Sequence, residues 1–176
     1  MKQLVTIIAF FVFVNINAQE KDKNGILLTA PKAVNQYAFR IGEWDSTSKD
    51  LLALNKWKTN SGKHRFYVDE NGLTFIEEGL NEKGEIIHKI IYDYIESTDS
   101  WENNYTEIVT GKKVKYTSKL VNGKMTESIK NEGSIDSTKY TIVAPNVFIY
   151  TSVRTYGNGF KIVTHVSVST KEIASI

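Results

Sequence analysis

Turn signals recur at nearly even intervals along most of this 176-residue chain, and that rhythm leaves few folds open to it. They are Asn71-Gly72, Glu82-Lys83-Gly84, Thr110-Gly111, Asn122-Gly123, Glu132-Gly133, Pro145-Asn146 and Gly157-Asn158-Gly159. Asn-Gly is the strongest of these, because a type I′ hairpin turn needs positive φ at both central residues. Between the signals lie segments rich in Ile, Val, Thr, Tyr and Phe, which suit a pleated surface.

The segments alternate as half-buried strands do. Val114, Tyr116 and Leu120 share one face, and Lys115 and Lys119 the other. Near the end, Phe160, Ile162, Thr164, Val166 and Val168 form the more apolar face, which burial assigns to the interior; His165 is then expected to face solvent. Strands are expected near 40–46, 63–70, 73–80, 85–96, 100–110, 113–121, 124–130, 138–143, 147–156 and 160–169. Helix is scarce. Thr29-Ala30-Pro31 can open a short one, with Val34, Tyr37, Ala38 and Ile41 at helical spacing, and Lys49 to Asn55 reads as another turn or two. Neither could form the crossover layer of a parallel sheet. The expected fold is therefore all-β: an antiparallel up-and-down meander barrel of about ten strands with a short N-terminal helix. A two-layer sandwich is the rival shape, but short regular turns favour a meander that closes on itself and removes its edges.

The first residues bear on compartment. Lys2 precedes an apolar run from Leu4 to Val14, and Ala18 stands before Gln19-Glu20. That is the pattern of a cleaved secretory signal peptide, and the run is shorter than the roughly 20 residues needed to span a bilayer. Residues 1–18 are read as the signal peptide, 19–28 as a flexible leader and 29–176 as one lipocalin-like barrel domain. The expected location is secreted or periplasmic. The chain has no cysteine, so it offers neither a disulfide nor a lipid-attachment site, and no membrane anchor is expected. Lys and Arg (22) nearly balance Asp and Glu (20) and are interspersed, which argues against the basic stripe of a nucleic-acid binder.

The most specific motif is Phe39-Arg40-Ile41-Gly42-Glu43-Trp44, at the junction of the short helix and the first strand. Phe-x-x-Gly-x-Trp in this position resembles the opening of the calycin superfamily, which includes lipocalins, fatty-acid-binding proteins and nitrobindin-like domains. It looks most like the start of exported lipocalin-like domains of uncharacterised function. The resemblance implies that Phe39, Gly42 and Trp44 are structural, with Trp44 beneath a helix that closes one barrel end. It also implies a basic side chain from a late strand against the indole, and Arg154 is the candidate.

Catalytic signatures are absent from the sequence. There is no Gly-x-Ser-x-Gly, phosphate-binding glycine loop or His-Glu-x-x-His. The histidines, His64, His88 and His165, stand in separate strands, so a zinc site would need assembly across strands. No metal and no cofactor is expected. Nitrobindin-like barrels are similar in carrying a haem-ligating His near the chain end, which makes His165 the haem candidate; its expected outward face argues against that role. The adjacent carboxylates Glu77 and Glu78 must point to opposite faces of a strand and cannot act as a facing pair. Aromatic residues are plentiful, and Tyr92, Tyr94, Trp101, Tyr150 and Arg154 are the candidate ligand-binding residues of an interior cavity. The expected function is binding of a small hydrophobic or amphipathic ligand by an exported lipocalin-like protein. One alternative is an isomerase, cyclase or hydrolase in which His88, Tyr92 and Arg154 converge for acid–base and anion-binding work. The other is a haem-binding, nitrobindin-like protein.

Overall fold

The computed structural model describes residues 20–171; the expected signal peptide lies outside them. Ten antiparallel strands, joined consecutively, close into a barrel. They are β1 (Gly42–Ala53), β2 (Lys56–Val68), β3 (Phe75–Leu80), β4 (Ile86–Ile95), β5 (Ser100–Glu107), β6 (Lys113–Val121), β7 (Lys124–Asn131), β8 (Ser134–Ala144), β9 (Val147–Tyr156) and β10 (Lys161–Thr170). Closure comes from the pairing of β1 with β10, in which Asp45 faces Thr170 and Asp50 faces His165. A meander closed in this way leaves no edge strand open to a neighbouring chain.

The N-terminal helix is a 3₁₀ helix, Lys32–Arg40, with Pro31 at its N-cap. Its three buried residues, Val34, Tyr37 and Arg40, are spaced by three, matching the three residues per turn of this helix type. That face plugs one end of the barrel. The Tyr37 ring reaches inward among Phe66, Phe75, Tyr92, Trp101 and Tyr140, with ring centroids 5.0–6.2 Å away. Gly42, at φ 129°, makes the bend from helix into β1 in a conformation that side chains disfavour. Trp44 then turns under the helix, donates from its indole N–H to the Arg40 carbonyl at 2.5 Å, and packs edge-on against Phe148.

Two segments differ from expectation. Residues 49–55, read as helical, complete the β1–β2 hairpin, with Asn55 at φ 60° in its turn. The cluster Leu51-Leu52-Ala53-Leu54 favours helix locally, but Leu51 pairs with Trp57 and the ladder prevails. Residues 20–28, expected as a loose leader, fold into a turn in which the Asp22 carboxylate accepts hydrogen bonds from the Asn24 and Ile26 backbone N–H groups. The Leu27 N–H donates to the Gly72 carbonyl, and Ile26 is 2% exposed in the core beside the helix. Burial of Ile26, worth roughly 1.5–3 kcal/mol, adds to the buried Leu27 and these hydrogen bonds in docking the segment.

Candidate functional site

The strands contribute very different side chains to the two halves of the barrel interior. β10, β1 and β2 turn small polar residues inward: Ser167 and Ser169, Ser46 and Ser48, Asn60 and Gly62. From β4 through β9 come Ile90, Tyr92, Tyr105, Tyr116, Tyr140, Phe148 and Tyr150. Because one wall is small, the large side chains of the other do not fill the tube, and a cavity of about 560 Å³ remains. A Cβ placed on Gly62 would meet no atom within 4 Å, which locates part of the free space. The cavity extends toward the end opposite the helix, where Lys112 lines its mouth. Hairpins at that end carry exposed apolar side chains, among them Leu52, Leu54, Trp57, Ile108, Val109 and Phe160.

The cavity floor is charged. Arg40 Nη2 sits 2.7 Å from Glu77 Oε2, and both side chains are more than nine-tenths buried. The Tyr92 hydroxyl donates to the same Glu77 oxygen at 2.5 Å and accepts from Arg40 Nη1 at 3.0 Å. The guanidinium also lies over Phe66, 4.4 Å from the ring centroid, and within 4.9 Å of the Tyr140 centroid. Burial opposes ionisation of Glu77, but Arg40 and then His64 outweigh it and hold the carboxyl well below the usual carboxylate range.

A second buried carboxylate, Glu127 on β7, has no cation in hydrogen-bond contact among the described residues. It accepts hydrogen bonds from the Tyr140 and Tyr150 hydroxyls at 2.7 and 3.0 Å, and the Tyr37 hydroxyl lies 3.3 Å away. Burial pushes its pKa above the usual carboxylate value, and Arg40 and the donated hydroxyl protons offset this only in part. Burial likewise lowers the pKa of His88, partly opposed by Glu77. The hydroxyl pKa values of Tyr92, Tyr140 and Tyr150 are raised, again chiefly by burial.

The residues singled out from the sequence divide between the cavity and its surroundings. Tyr92, Tyr150 and His88 line the cavity. Trp101 is fully buried in the packing beneath the helix, where its ring lies 5.1 Å from that of Tyr37. Tyr94 packs on Trp101 and donates its hydroxyl to Asp99 near the closed end. Neither is a cavity residue.

Arg154 is placed differently from both expectations set for it. It pairs bidentately with Asp136 across β8 and β9, at 2.7 and 2.8 Å, and is absent from the cavity wall. The register explains this: Arg154 stands near the end of β9 remote from the helix, whereas Phe148, at the start of that strand, meets Trp44. The cation over the Trp44 ring is Lys171, just after β10, with Nζ 4.8 Å from the centroid. The grouping of His88, Tyr92 and Arg154 therefore does not form; the arginine bonded to Tyr92 is Arg40.

His165 also reverses. It faces the cavity, with Nδ1 2.5 Å from Asp50 Oδ1. A bulge between Val163 and His165 shifts the alternation of β10, so that Ser167 and Ser169 point inward while Val168 is 40% exposed. Glu77 and Glu78 do point to opposite faces: Glu77 reaches Arg40, and Glu78 bonds Arg65 and Tyr67. Arg40, Glu77, Glu127 and His64 were not selected from sequence as site residues. The spacing of Arg40 with Val34 and Tyr37, and two carboxylates inside the apolar strand Phe75–Leu80, were the available signals.

No protein-family model and no curated protein sequence matches the chain. Among solved structures it is similar to an S-type phycobiliprotein lyase from Guillardia theta, with TM-score 0.51 and 9% identity over 79% of this chain and 92% of that one. It also aligns with a redesigned β-barrel at TM-score 0.40 and 13% identity, covering 79% of this chain and 96% of that one. The first likeness is one of fold: a ten-stranded antiparallel barrel.

Proposed function

We propose that this chain is an exported binding protein of lipocalin-like type that holds one small amphipathic molecule inside the barrel. The observation carrying this reading is the two-sided cavity, which sets an aromatic wall opposite a wall of serines, asparagine and glycine. Its volume of about 560 Å³ falls within the roughly 300–1,000 Å³ common for small-molecule sites. A flat apolar body would lie against Tyr105, Tyr116 and Tyr150, while its hydroxyl or carbonyl groups would meet the Ser46–Ser169 side. Lys112 at the mouth favours an acidic group on the exposed end of the ligand. The exposed apolar hairpins around that mouth suit a guest transferred from another apolar surface.

Two further points support the reading. The fold likeness is to a protein whose name describes a lyase for phycobiliproteins, and the N-terminal eighteen residues carry the composition of an export signal. Native mass spectrometry of protein purified without detergent tests it. The expected spectrum contains a second species heavier by a single small molecule, released on denaturation. Protein at the mass of the bare chain alone, which also takes up no added amphiphile, would overturn the proposal.

A further inference from the structure

We propose that His64, Glu77 and His88 form a binding site for a first-row divalent metal ion of the Zn²⁺ class, facing the barrel cavity. The site depends on a glycine. In the paired register of β2, β3 and β4, His64, Gly79 and His88 occupy one cross-strand row. Two imidazoles separated by a side-chain-bearing strand residue would be held apart. Here the His88 ring lies directly over Gly79: a Cβ at that position would stand 2.0 Å from its Cε1 and 2.5 Å from both ring nitrogens. The two imidazole centroids are consequently 5.9 Å apart. Glu77, two residues from Gly79 on the same inward face, supplies the third donor. One ligand atom from each residue lies within 4.8 Å of the other two.

The donors are oriented as metal ligands commonly are. Glu77 Oε2 is held by Arg40 and Tyr92, which fixes the carboxylate and leaves Oε1 directed toward the histidines. His64 Nδ1 is buried, 3.4 Å from that Oε1, and has no hydrogen-bond partner among the described residues. Two donors on a tetrahedral Zn²⁺ with bonds of about 2.0–2.1 Å stand roughly 3.3–3.4 Å apart, so this pair already has the required spacing. His88 completes the set by a side-chain adjustment, its donor atom lying within 4.8 Å of the other two. Two borderline imidazole nitrogens beside one hard carboxylate oxygen suit Zn²⁺, Co²⁺ or Ni²⁺ better than Ca²⁺ or Mg²⁺, which take oxygen ligands. All three residues line the cavity, so the remaining coordination positions open onto it, where water or a donor atom of the cavity's guest would bind.

The test is a calorimetric titration of chelator-treated protein with ZnCl2, paired with the visible absorption of the Co²⁺-loaded protein. One equivalent of Zn²⁺ is expected, together with Co²⁺ bands of low-symmetry N,O coordination. His64→Ala and His88→Ala are each expected to weaken binding at least about tenfold, and His165→Ala to leave it unchanged. Gly79→Ala, which displaces the His88 ring, is expected to weaken it as well. The absence of stoichiometric binding would overturn the proposal, as would binding that survives the double variant His64→Ala/His88→Ala. If those variants do not fold, Zn²⁺-dependent NMR shifts of the His64 and His88 ring protons in the unaltered protein decide the matter, and unmoved signals refute the site. Binding of an amphiphile is a separate readout, so failure of the metal site and failure of the carrier reading are distinguishable.

Discussion

Arg40 and Glu77 form a fully buried ion pair, 2.7 Å between Nη2 and Oε2, that fastens the 3₁₀ helix to strand β3 across the barrel floor. Desolvation of such a pair offsets much of its Coulomb attraction, so its main effect is that neither partner tolerates losing the other. Arg40→Met is therefore expected to lower unfolding stability by about 3–5 kcal/mol, by stranding a buried carboxylate. The double variant Arg40→Met/Glu77→Leu is expected to regain most of that loss. Urea unfolding curves of the three proteins measure both effects, and a single variant as stable as the parent would show that the pair does not hold the floor together.

Glu127 gives a pH dependence of definite sign. Its folded pKa is raised above the ordinary value near 4.5, chiefly by burial. As pH rises from that ordinary value through the raised one, the unfolded chain has released the proton that the folded chain still holds. Stability then falls with pH, by at most about 1.4 kcal/mol per unit for one group. Glu127→Gln removes this titration. The stability of the parent relative to the variant is expected to decline as pH rises through that window; a difference that is flat or increasing would contradict the assignment.

Arg154 and Asp136 make a well-formed but partly exposed pair, with Arg154 38% exposed. Solvent screening limits the value of such a pair to about 1 kcal/mol or less. Arg154→Ala is expected to lower stability by no more than that and to leave amphiphile affinity unchanged. Tyr150→Ala, which removes part of the aromatic wall, is expected to weaken affinity several-fold; fluorescence titration with an amphiphilic dye measures both variants.

Strand positions were legible in the sequence because turns and alternation are local properties. Asn71-Gly72 and Asn122-Gly123 mark two hairpins, and β6 and β9 run over the expected residues. The β1–β2 hairpin was not legible: its turn is Leu54-Asn55 in place of Asn-Gly, and the apolar run Leu51-Leu52-Ala53-Leu54 leading into it resembles a helix. The inward face of β10 was misread for a different reason. Alternation fixes which residues share a face, but not which face is inside, and a single bulge reverses the parity beyond it. Burial assigned the valines inward, whereas this barrel places serines there and leaves room.

The site was less legible than the fold because its partners are brought together by register. Nothing near Arg40 in sequence indicates Glu77, and nothing near His64 indicates His88; both pairings depend on how far each strand slides against the next. The aromatic supply was visible from composition, and Tyr92 and Tyr150 do reach the cavity. Tyr94, Trp101 and Arg154 do not, because each lies toward an end of its strand, outside the stretch that borders the cavity.

The central claim is that free space inside the tube receives a guest, and Gly62 offers the most direct access to it. Gly62 lines the cavity, and a Cβ added there would meet no atom within 4 Å, so a larger side chain has room to enter the free space. The deciding measurement is a fluorescence titration with anilinonaphthalene sulfonate of the parent and of Gly62→Leu, each first shown to be folded by its unfolding curve. Saturable one-to-one binding by the parent, with at least about a tenfold loss in the filled variant, is the predicted result. Equal binding by the two proteins, or no saturable binding by the parent, would contradict it.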